Sequence, residues 1–440
     1  MSTVGFISLG CPKNQIDGEC LLAQLDANGF KIADPYDGVD AVIINTCGFI
    51  ESAKKEAIES ILDMSQLKED GLVGKIIVTG CLAERYQDEI LNEMPEVDAV
   101  IGIGANGDIA DICSKVIEGE RIGCYPAKDK MPLNGERVLT TPEYYAYLKI
   151  ADGCNNCCTY CAIPSIRGRY RSREMDDIIE EAKSLAEKGV KELIVVAQDT
   201  TLYGKDIYGK LMLPELLAKL NEIDGIHWIR MLYCYPDEFT DELIEAMATL
   251  PKVLHYVDLP LQHADDEVLR RMNRRGTQQQ VKELVAKLRE RMPDIIIRTT
   301  FITGFPGESE EAFENLALFV NETEFDHLGC FAYSAEEGTP AAEFEDQIDE
   351  RTKLDRQDII MRDQYDIVAD KHNRLIGKKV EVIVEGYDAY TDSYTGRTYM
   401  DAPEIDCCIK FTSRDDYGEG DFCMVTIINT DEYDLIGEAE

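Results

Sequence analysis

Positive charge is scarce in this sequence of 440 residues. There are 45 lysines and arginines against 85 aspartates and glutamates, which gives a formal net charge of −40. Such a field repels phosphate backbones and attracts cationic partners. We therefore expect that nucleic acid is not the main partner, although an acidic surface is also typical of a protein that only needs solubility.

Long apolar runs are also absent. No uninterrupted stretch of about 18 apolar residues occurs, and the opening MSTVGFISLG lacks the basic segment of a signal peptide. These features predict a cytoplasmic protein with no membrane partner. Because that compartment is reducing, the 15 cysteines are not expected to form disulfides, and each is left with thiolate chemistry, metal ligation or burial.

The first part of the chain alternates short apolar runs with helix-length segments. VGFISLG, AVIINTC, KIIVTGC and AVIGIG predict buried strands of a Rossmann-like, parallel α/β domain over residues 1–125. No complete GxGxxG motif follows the first strand, so this shape does not imply a nucleotide cofactor. Residues 126–143 carry proline, glycine and charges without periodicity, which predicts a linker.

The remaining chain divides into two further predicted domains. Residues 144–375 contain six strand-then-helix units, which predicts a partial (βα)6 barrel with its site at the carboxyl ends of the strands. Residues 376–440 read as short strands separated by turn residues and predict a small antiparallel β-barrel. This last domain has five basic and sixteen acidic residues.

Four cysteines stand together in DGCNNCCTYCAIP, directly after the first predicted barrel strand. Cys154, Cys158 and Cys161 have the spacing CxxxCxxC, which forms a compact loop with three thiolates on one face. Zinc requires four ligands, and no nearby histidine or second CxxC completes such a site. Three thiolates on a cubane iron–sulfur cluster instead leave one iron open. We interpret Cys157 as a non-ligand.

A second set of cysteines is dispersed in the first domain. Cys11, Cys47 and Cys81 each end a predicted strand, in SLGC, INTC and VTGC. The carboxyl ends of parallel strands meet at one edge of a sheet, so the three thiols are expected to be neighbours. A lone cysteine is most simply a buried core residue. Three at the same topological position predict a second three-thiolate site.

The CxxxCxxC loop resembles that of the radical S-adenosylmethionine enzymes, and two triads together resemble the methylthiotransferases of that superfamily. The resemblance covers essentially the whole chain, with a final domain of the TRAM type. SLGCPKN, VAQDTTLYG and LPLQHADDEVLRRMNRRG are similar to the branch called RimO, which adds a methylthio group to the β-carbon of an aspartate in ribosomal protein S twelve. A basic protein of this kind would be attracted by the acidic chain.

The resemblance also implies cofactors and a division of labour. It implies two 4Fe-4S clusters, S-adenosyl-L-methionine and an electron donor such as flavodoxin or ferredoxin. One S-adenosylmethionine would supply the methyl group for a sulfur held at the first-domain cluster. A second would be cleaved at the barrel cluster, and the resulting radical would remove a β-hydrogen from the aspartate.

Some cofactor contacts are predicted as well. The resemblance implies that Tyr160 lies near the adenine. Gln198, Gln262 and Gly304 stand at the carboxyl ends of predicted barrel strands and are further candidates for cofactor contact. Polar residues at strand ends also cap the following helix, so this second interpretation stays open. Catalytic residues beyond the cluster ligands are not identified.

Four arginines alternate in IRGRYRSR, just past the cysteine loop: Arg167, Arg169, Arg171 and Arg173. Their guanidinium groups are suited to holding the carboxylate of the target. A solvated or salt-bridged loop explains them equally well.

Two other functions are open at this point. A transfer RNA adenosine methylthiotransferase would share both triads, but that branch usually has glutamine where this chain has Pro12, and an RNA-binding final domain should be basic. A non-catalytic iron–sulfur electron carrier predicts four protein ligands for each cluster, and both triads lack an evident fourth cysteine.

Overall fold

The computed structural model describes residues 2–439 and begins with a parallel α/β sheet. The strands are β1 (Thr3–Ser8), β2 (Lys31–Ala33), β3 (Ala41–Thr46), β4 (Ile76–Gly80), β5 (Ala99–Ile101) and β6 (Ile122–Cys124). The helices are α1 (Pro12–Ala27), α2 (Glu51–Glu69), α3 (Cys81–Tyr86), α4 (Asp88–Glu93) and α5 (Ile109–Ile117). The strand order is β2-β1-β3-β4-β5-β6. Every residue of β3 and β4 is buried, as expected for central parallel strands.

The second part is built around six parallel strands, each followed by a helix. The strands of this part are β7 (Tyr145–Lys149), β8 (Ala151–Asp152), β9 (Arg171–Ser172), β10 (Glu192–Val196), β11 (Trp228–Met231), β12 (Tyr256–Gln262), β13 (Ile296–Thr303) and β14 (His327–Ala332). The helices are α6 (Ile163–Arg167), α7 (Met175–Glu187), α8 (Leu213–Asn221), α9 (Asp241–Thr249), α10 (Asp266–Arg271), α11 (Gln278–Arg291), α12 (Glu310–Thr323) and α13 (Glu350–Asn373). The short strands β8 and β9 pair only with each other.

The barrel wall consists of two halves, β7-β10-β11 and β12-β13-β14. The halves lie side by side, and the backbone N–H of Cys234 donates to the carbonyl of Asp258 at 2.9 Å across the junction. The six strands therefore form an open, partial barrel, as predicted from the sequence.

The last part is a closed five-stranded barrel. Its strands are β15 (Lys379–Asp388), β16 (Ser393–Thr398), β17 (Ile409–Thr412), β18 (Phe422–Asp431) and β19 (Asp434–Ala439), in the order β15-β16-β17-β19-β18. The predicted antiparallel pairing is confirmed except between β17 and β19, which are parallel. The exception arises because β19 turns back tightly from β18 and then lies between β18 and β17.

A buried carboxylate fixes the closed barrel to the partial barrel. Glu192 of β10 accepts hydrogen bonds from Arg230 Nε of β11 and from Arg397 Nη2 of β16, both at 2.7 Å. All three side chains are almost completely buried. Removing one member of such a group leaves an uncompensated charge, so the contact strongly favours a fixed arrangement.

The first domain is also fastened to the partial barrel. Glu336, after β14, accepts a hydrogen bond from the Glu51 backbone N–H at 3.0 Å and pairs with Lys54 at 3.1 Å and with Arg85 at 3.4 Å.

The segment 126–143 is anchored rather than solvated. Arg137 is buried and binds Glu19 of α1 at 2.6 Å and Glu181 of α7 at 2.5 Å.

Within residues 2–439, no helix is both long and apolar enough to cross a membrane.

Candidate iron–sulfur and cofactor site

The loop after β8 brings three cysteines to the carboxyl edge of the partial barrel. The Cys154 thiol accepts from the backbone N–H of Asn156 at 3.4 Å, and the Cys161 backbone N–H donates to the Cys158 carbonyl at 3.1 Å. The amide of Asn156 donates to Asp199 at 2.7 Å, after β10, which holds the loop on the barrel. Neighbouring elements thus fix the loop.

The four cysteines of this loop differ in exposure. Cys154 and Cys158 are buried and Cys161 is partly buried, whereas Cys157 is exposed. Burial raises the pKa of the Cys154 thiol to about 11 and that of Cys161 to about 12. These thiols are protonated at neutral pH until a metal displaces the proton.

The first-domain cysteines follow three adjacent strands of the sheet, β1, β3 and β4. Cys11 stands at the amino terminus of α1 and Cys81 is the first residue of α3. Burial raises the pKa of the Cys81 thiol, and the nearby guanidinium of Arg167 opposes this shift. Gly10 makes room for Cys47, because a Cβ at Gly10 would lie 3.0 Å from the Cys47 sulfur. Burial raises the pKa of the Cys47 thiol to about 12, and the neighbouring thiol of Cys81 adds to the shift. The predicted gathering of these cysteines at one edge is therefore present.

The spacing of the thiols does not suit a single metal ion. Over the residues that the structure describes, the group of potential ligands whose atoms all lie within 4.8 Å of one another is His327, Asp401 and Cys407. Neither cysteine triad meets that spacing. In a cluster each thiolate binds a different iron, so the three thiols of a triad need not converge on one point.

Arg167 connects the two triads. It ends α6, which follows Cys161 closely, and its Nη2 donates to the Cys81 thiol at 3.4 Å. Its other nitrogen binds Asp17 of α1 and, at 3.2 Å, Asp152 of β8. Through these buried contacts, Arg167 joins the edge of the first domain to the cysteine loop of the barrel.

A second connection runs through two tyrosines after β11. The ammonium nitrogen of Lys13 lies 3.1 Å from the ring centroid of Tyr233, and the hydroxyl of Tyr235 lies 3.1 Å from the Cys158 thiol. Tyr233 has a φ of 60°, which is strained for a non-glycine residue and is often seen at functional sites. The guanidinium of Arg274 stacks on Tyr235 with its carbon 4.0 Å from the ring centroid.

A cavity of about 510 Å³ lies between the first domain and the partial barrel. Tyr160 and Gln262 line it, together with Thr300 and Ile302 of β13. Gln262 has a φ of 74°, and Tyr160 lies edge-on to Phe305 with ring centroids 6.5 Å apart. The loop after Cys47 closes the other side with Phe49, Ile50 and Ser52. The two predicted cofactor residues therefore share one cavity.

The other two predicted cofactor residues have evident structural contacts. Gln198 donates to Asp152 at 2.9 Å, and its carbonyl oxygen is buried without a partner among residues 2–439. Gly304 has a φ of 69° and packs against Lys353 of α13, where a Cβ would clash. Its backbone N–H donates to Glu308 at 2.9 Å. These contacts explain the glycine at position 304 but leave the Gln198 carbonyl oxygen unpaired among residues 2–439. Cofactor binding by both residues stays a prediction.

The arginines past the cysteine loop are largely committed to internal contacts. Arg167 and Arg173 are buried, and Arg173 pairs with Glu181 at 2.6 Å. Arg171 donates to the Asp129 carbonyl at 2.7 Å. Arg167 and Arg173 are therefore not free to hold a substrate carboxylate.

The sequence did not predict four residues near the two triads: Lys13, Tyr233, Tyr235 and Arg274. Lys13 nevertheless stands two residues after a predicted ligand.

Three protein families match the chain. The Radical SAM superfamily matches residues 148–320, the Uncharacterized protein family UPF0004 matches residues 3–102, and the TRAM domain matches residues 376–439.

Curated relatives match over the full length. The ribosomal protein uS12 methylthiotransferase RimO of Thermoanaerobacter sp. (strain X514) is 49% identical over 439 residues, which is 100% of both chains. The protein of the same name from Caldanaerobacter subterraneus subsp. tengcongensis is 50% identical over 439 residues, again 100% of both chains.

A solved structure shares the fold at low sequence identity. The radical S-adenosylmethionine methyltransferase TsrM from Kitasatospora setae, solved with tryptophan and a SAM analogue, has a TM-score of 0.61 at 14% identity. The match covers 86% of this chain and 91% of that chain.

Proposed function

Since the chain belongs to the RimO family of ribosomal protein uS12 methylthiotransferases, we propose that it adds a methylthio group to the β-carbon of an aspartate in uS12, the S twelve protein of the small subunit. It is a transferase of the radical SAM type. The observation that supports this function best is the connection of two three-thiol groups through Arg167 and through the tyrosines after β11. A reaction that needs two clusters requires such an arrangement.

The chain uses an iron–sulfur cluster and S-adenosylmethionine, like its superfamily. The number of clusters is part of our proposal: one 4Fe-4S cluster on Cys154, Cys158 and Cys161, and a second on Cys11, Cys47 and Cys81. Clusters and cofactor together supply a single-electron reduction, a hydrogen-abstracting radical, and the methyl group and sulfur that are transferred. Tyr160 and Gln262 would border the cofactor in the cavity that they line.

The partners follow from charge and chemistry. The net charge of −40 supports a basic protein substrate, and the acidic final barrel supports a docking role toward that protein rather than toward RNA. We propose further that a separate donor such as flavodoxin or ferredoxin supplies the electron, and that the reaction takes place in the cytoplasm.

The three domains would be residues 1–125, 144–375 and 376–440. The anchored segment 126–143 connects the first domain to the second.

The test is a reaction with the complete enzyme. The protein is reconstituted anaerobically with iron and sulfide and incubated with S-adenosylmethionine, a reductant and a peptide that carries the target loop of uS12. Mass spectrometry should show a gain of one methylthio group on the aspartate. An unchanged peptide, with 5'-deoxyadenosine still produced, would reject uS12 as the substrate.

Replacing Cys47 by alanine should separate the two roles of the triads. Cys47 belongs to the first-domain group, so Cys47→Ala is expected to abolish methylthio transfer while cleavage of S-adenosylmethionine to 5'-deoxyadenosine continues. The matched control is Cys157→Ala, because Cys157 is exposed and lies outside both triads. Both activities should persist in the control. Loss of both in Cys47→Ala would contradict separate roles.

A further inference from the structure

A segment of the final barrel lies against the amino ends of the partial-barrel strands. It comprises residues 399–408 and connects β16 to β17. The Asp406 carboxylate accepts hydrogen bonds from the Tyr256 hydroxyl at 2.6 Å and from Arg298 Nε at 3.2 Å, and Tyr256 is the first residue of β12. This junction is at the opposite end of the strands from the cysteine loop, where side chains serve the stability of the fold rather than the reaction.

Three different metal-binding side chains meet at this junction: His327, Asp401 and Cys407. Each offers one ligand atom, and these atoms all lie within 4.8 Å of one another. His327 is the first residue of β14, whereas Asp401 and Cys407 belong to the segment 399–408. His327 and Asp401 are buried, and Cys407 is partly buried. An imidazole, a carboxylate and a thiolate are the types of ligand that Zn²⁺ takes in proteins.

Hydrogen bonds hold two of these side chains in place. His327 Nε2 lies 2.9 Å from the Met400 carbonyl oxygen and 3.6 Å from Asp401 Oδ1. The Thr398 hydroxyl donates to the other oxygen of Asp401 at 2.8 Å. Supporting hydrogen bonds of this kind are typical around metal ligands, because they orient the ligand before the ion binds.

A cavity of about 340 Å³ opens beside the junction, and His327 and Asp401 line it. It gives an ion access to the ligands, as a metal site requires. His372 lines the same cavity but is not a member of the group of three. Burial and the neighbouring His327 lower the pKa of His372, and a cation bound beside it would act in the same direction.

We propose that His327, Asp401 and Cys407 bind one Zn²⁺ ion, which fixes the final barrel to the partial barrel. The ion would join β14 to both ends of the segment 399–408. A thiolate in the ligand set favours Zn²⁺ over Mg²⁺ and Ca²⁺, which prefer oxygen ligands. The site is separate from both cysteine triads, and its ion would stabilise the enzyme without taking part in methylthio transfer.

A metal-free explanation of the same side chains is a protonated His327 that pairs with Asp401 at 3.6 Å and with Asp406 at 3.8 Å. Cys407 would then be a packing residue, as isolated cysteines commonly are. The two explanations differ in Cys407, because zinc binding needs a ligand cysteine and does not need a packing cysteine. Cys408 is the matched control, since it is the next residue, is also partly buried and lies outside the group.

The test compares wild type, Cys407→Ala and Cys408→Ala, all with their iron–sulfur clusters reconstituted so that the cluster thiols are occupied. Each protein is incubated anaerobically with Zn²⁺ and then desalted. Mass spectrometry of the metals should find about one zinc per chain in wild type and in Cys408→Ala, and close to none in Cys407→Ala. X-ray absorption at the zinc edge should show one sulfur at about 2.3 Å, with nitrogen and oxygen ligands at about 2.0–2.2 Å.

Three outcomes would overturn the proposal. They are wild type that retains no zinc, equal zinc contents in the two variants, and a zinc ion with two or more sulfur ligands, which would place it in a cysteine triad. If Cys407→Ala does not fold, Asp401→Asn replaces it, because the side chain keeps its shape and the neutral amide is a poor zinc ligand. Its zinc content should also fall, and retention equal to wild type would be a fourth contradiction.

Thermal unfolding tests whether the ion fixes the two barrels. Zn²⁺ should raise the Tm of wild type and of Cys408→Ala but not that of Cys407→Ala, because an ion bound only by the folded chain stabilises that state. A Tm of wild type that does not change with Zn²⁺ would reject the fixing role. These measurements need neither uS12 nor S-adenosylmethionine, so they test the zinc site independently of the proposed function.

Discussion

Arg167 is the side chain on which the contact between the first domain and the cysteine loop most depends. Together with Lys149, Asp17 and Asp152 it forms a buried group of two cations and two carboxylates. The group joins α1, β7, β8 and α6. The two positive and two negative charges of this group balance one another. Removal of any one side chain would therefore leave a buried charge without a partner.

Replacing Arg167 by methionine is expected to lower the free energy of unfolding by roughly 3–5 kcal/mol, because two buried carboxylates would share a single cation. Urea denaturation of the metal-free protein measures the change. After reconstitution the iron content should also fall, since Cys81 loses its hydrogen-bond donor. Arg171→Met is the control from the same loop, and its loss of carbonyl contacts should cost only about 1 kcal/mol. Equal losses in the two variants would contradict the role given to Arg167.

At the scale of elements, the end of α13 carries a histidine without a full set of partners. His372 Nδ1 is buried and has no hydrogen-bond partner among residues 2–439. Burial, and next the neighbouring His327, lower the pKa of His372 from 6.5 to about 4, while Asp326 and Asp434 oppose the shift and Lys371 adds to it. Above about pH 4 the folded protein therefore holds the His372 ring in its neutral form.

The stability of this region should depend on pH in a defined window. Between pH 6.5 and 4 the unfolded chain takes up a proton on His372 and the folded chain does not, so stability is full above pH 6.5 and falls by up to about 3 kcal/mol toward pH 4. Urea denaturation across this range should show a shallower decline for His372→Gln. His227→Gln is the control, because His227 is exposed and pairs with Glu381 at 2.9 Å. The same decline in wild type and both variants would contradict the assignment.

Strands that lie in apolar runs are readable from the sequence, including the three-residue strand β5 in AVIGIG, whereas β2 and β6 are not. Runs such as AVIINT in β3 are apolar throughout because both faces are covered. The strands β2 and β6 have only three residues each and carry little periodicity. They exist because they pair with β1 and β5, and that information lies elsewhere in the chain.

The residues of the candidate site also divide into those that the sequence predicts and those that it does not. Cys11, Cys47 and Cys81 could be grouped in advance because parallel strands end at one edge. The partner of Lys13 could not be predicted, because Tyr233 is distant in sequence and reaches Lys13 only when α1 packs on the barrel. The burial of Arg137 and Arg167 was missed for a related reason, since their carboxylate partners come from other elements.

At the scale of the whole molecule, net charge should control encounter with the substrate. A chain at −40 attracts a basic ribosomal protein over a Debye length that shrinks from about 30 Å at 0.01 M salt to about 8 Å at 0.15 M. We expect kcat/KM for intact uS12 to fall by about 10-fold or more over this range, with kcat nearly constant. A short peptide of zero net charge with the target aspartate is the control, and its kcat/KM should change little. A flat salt dependence for intact uS12 would reject electrostatic steering.

The contact between Glu336 and the first domain also has a consequence for synthesis on the ribosome. The Glu51 backbone N–H and the Glu336 carboxylate that it binds are separated by 285 positions in the chain. At 5–20 residues per second, the ribosome needs roughly 15 to 60 s to make that interval. The sheet edge with Cys11, Cys47 and Cys81 therefore emerges long before its covering partner exists, and its thiols stay accessible to iron, sulfide and oxygen during that time.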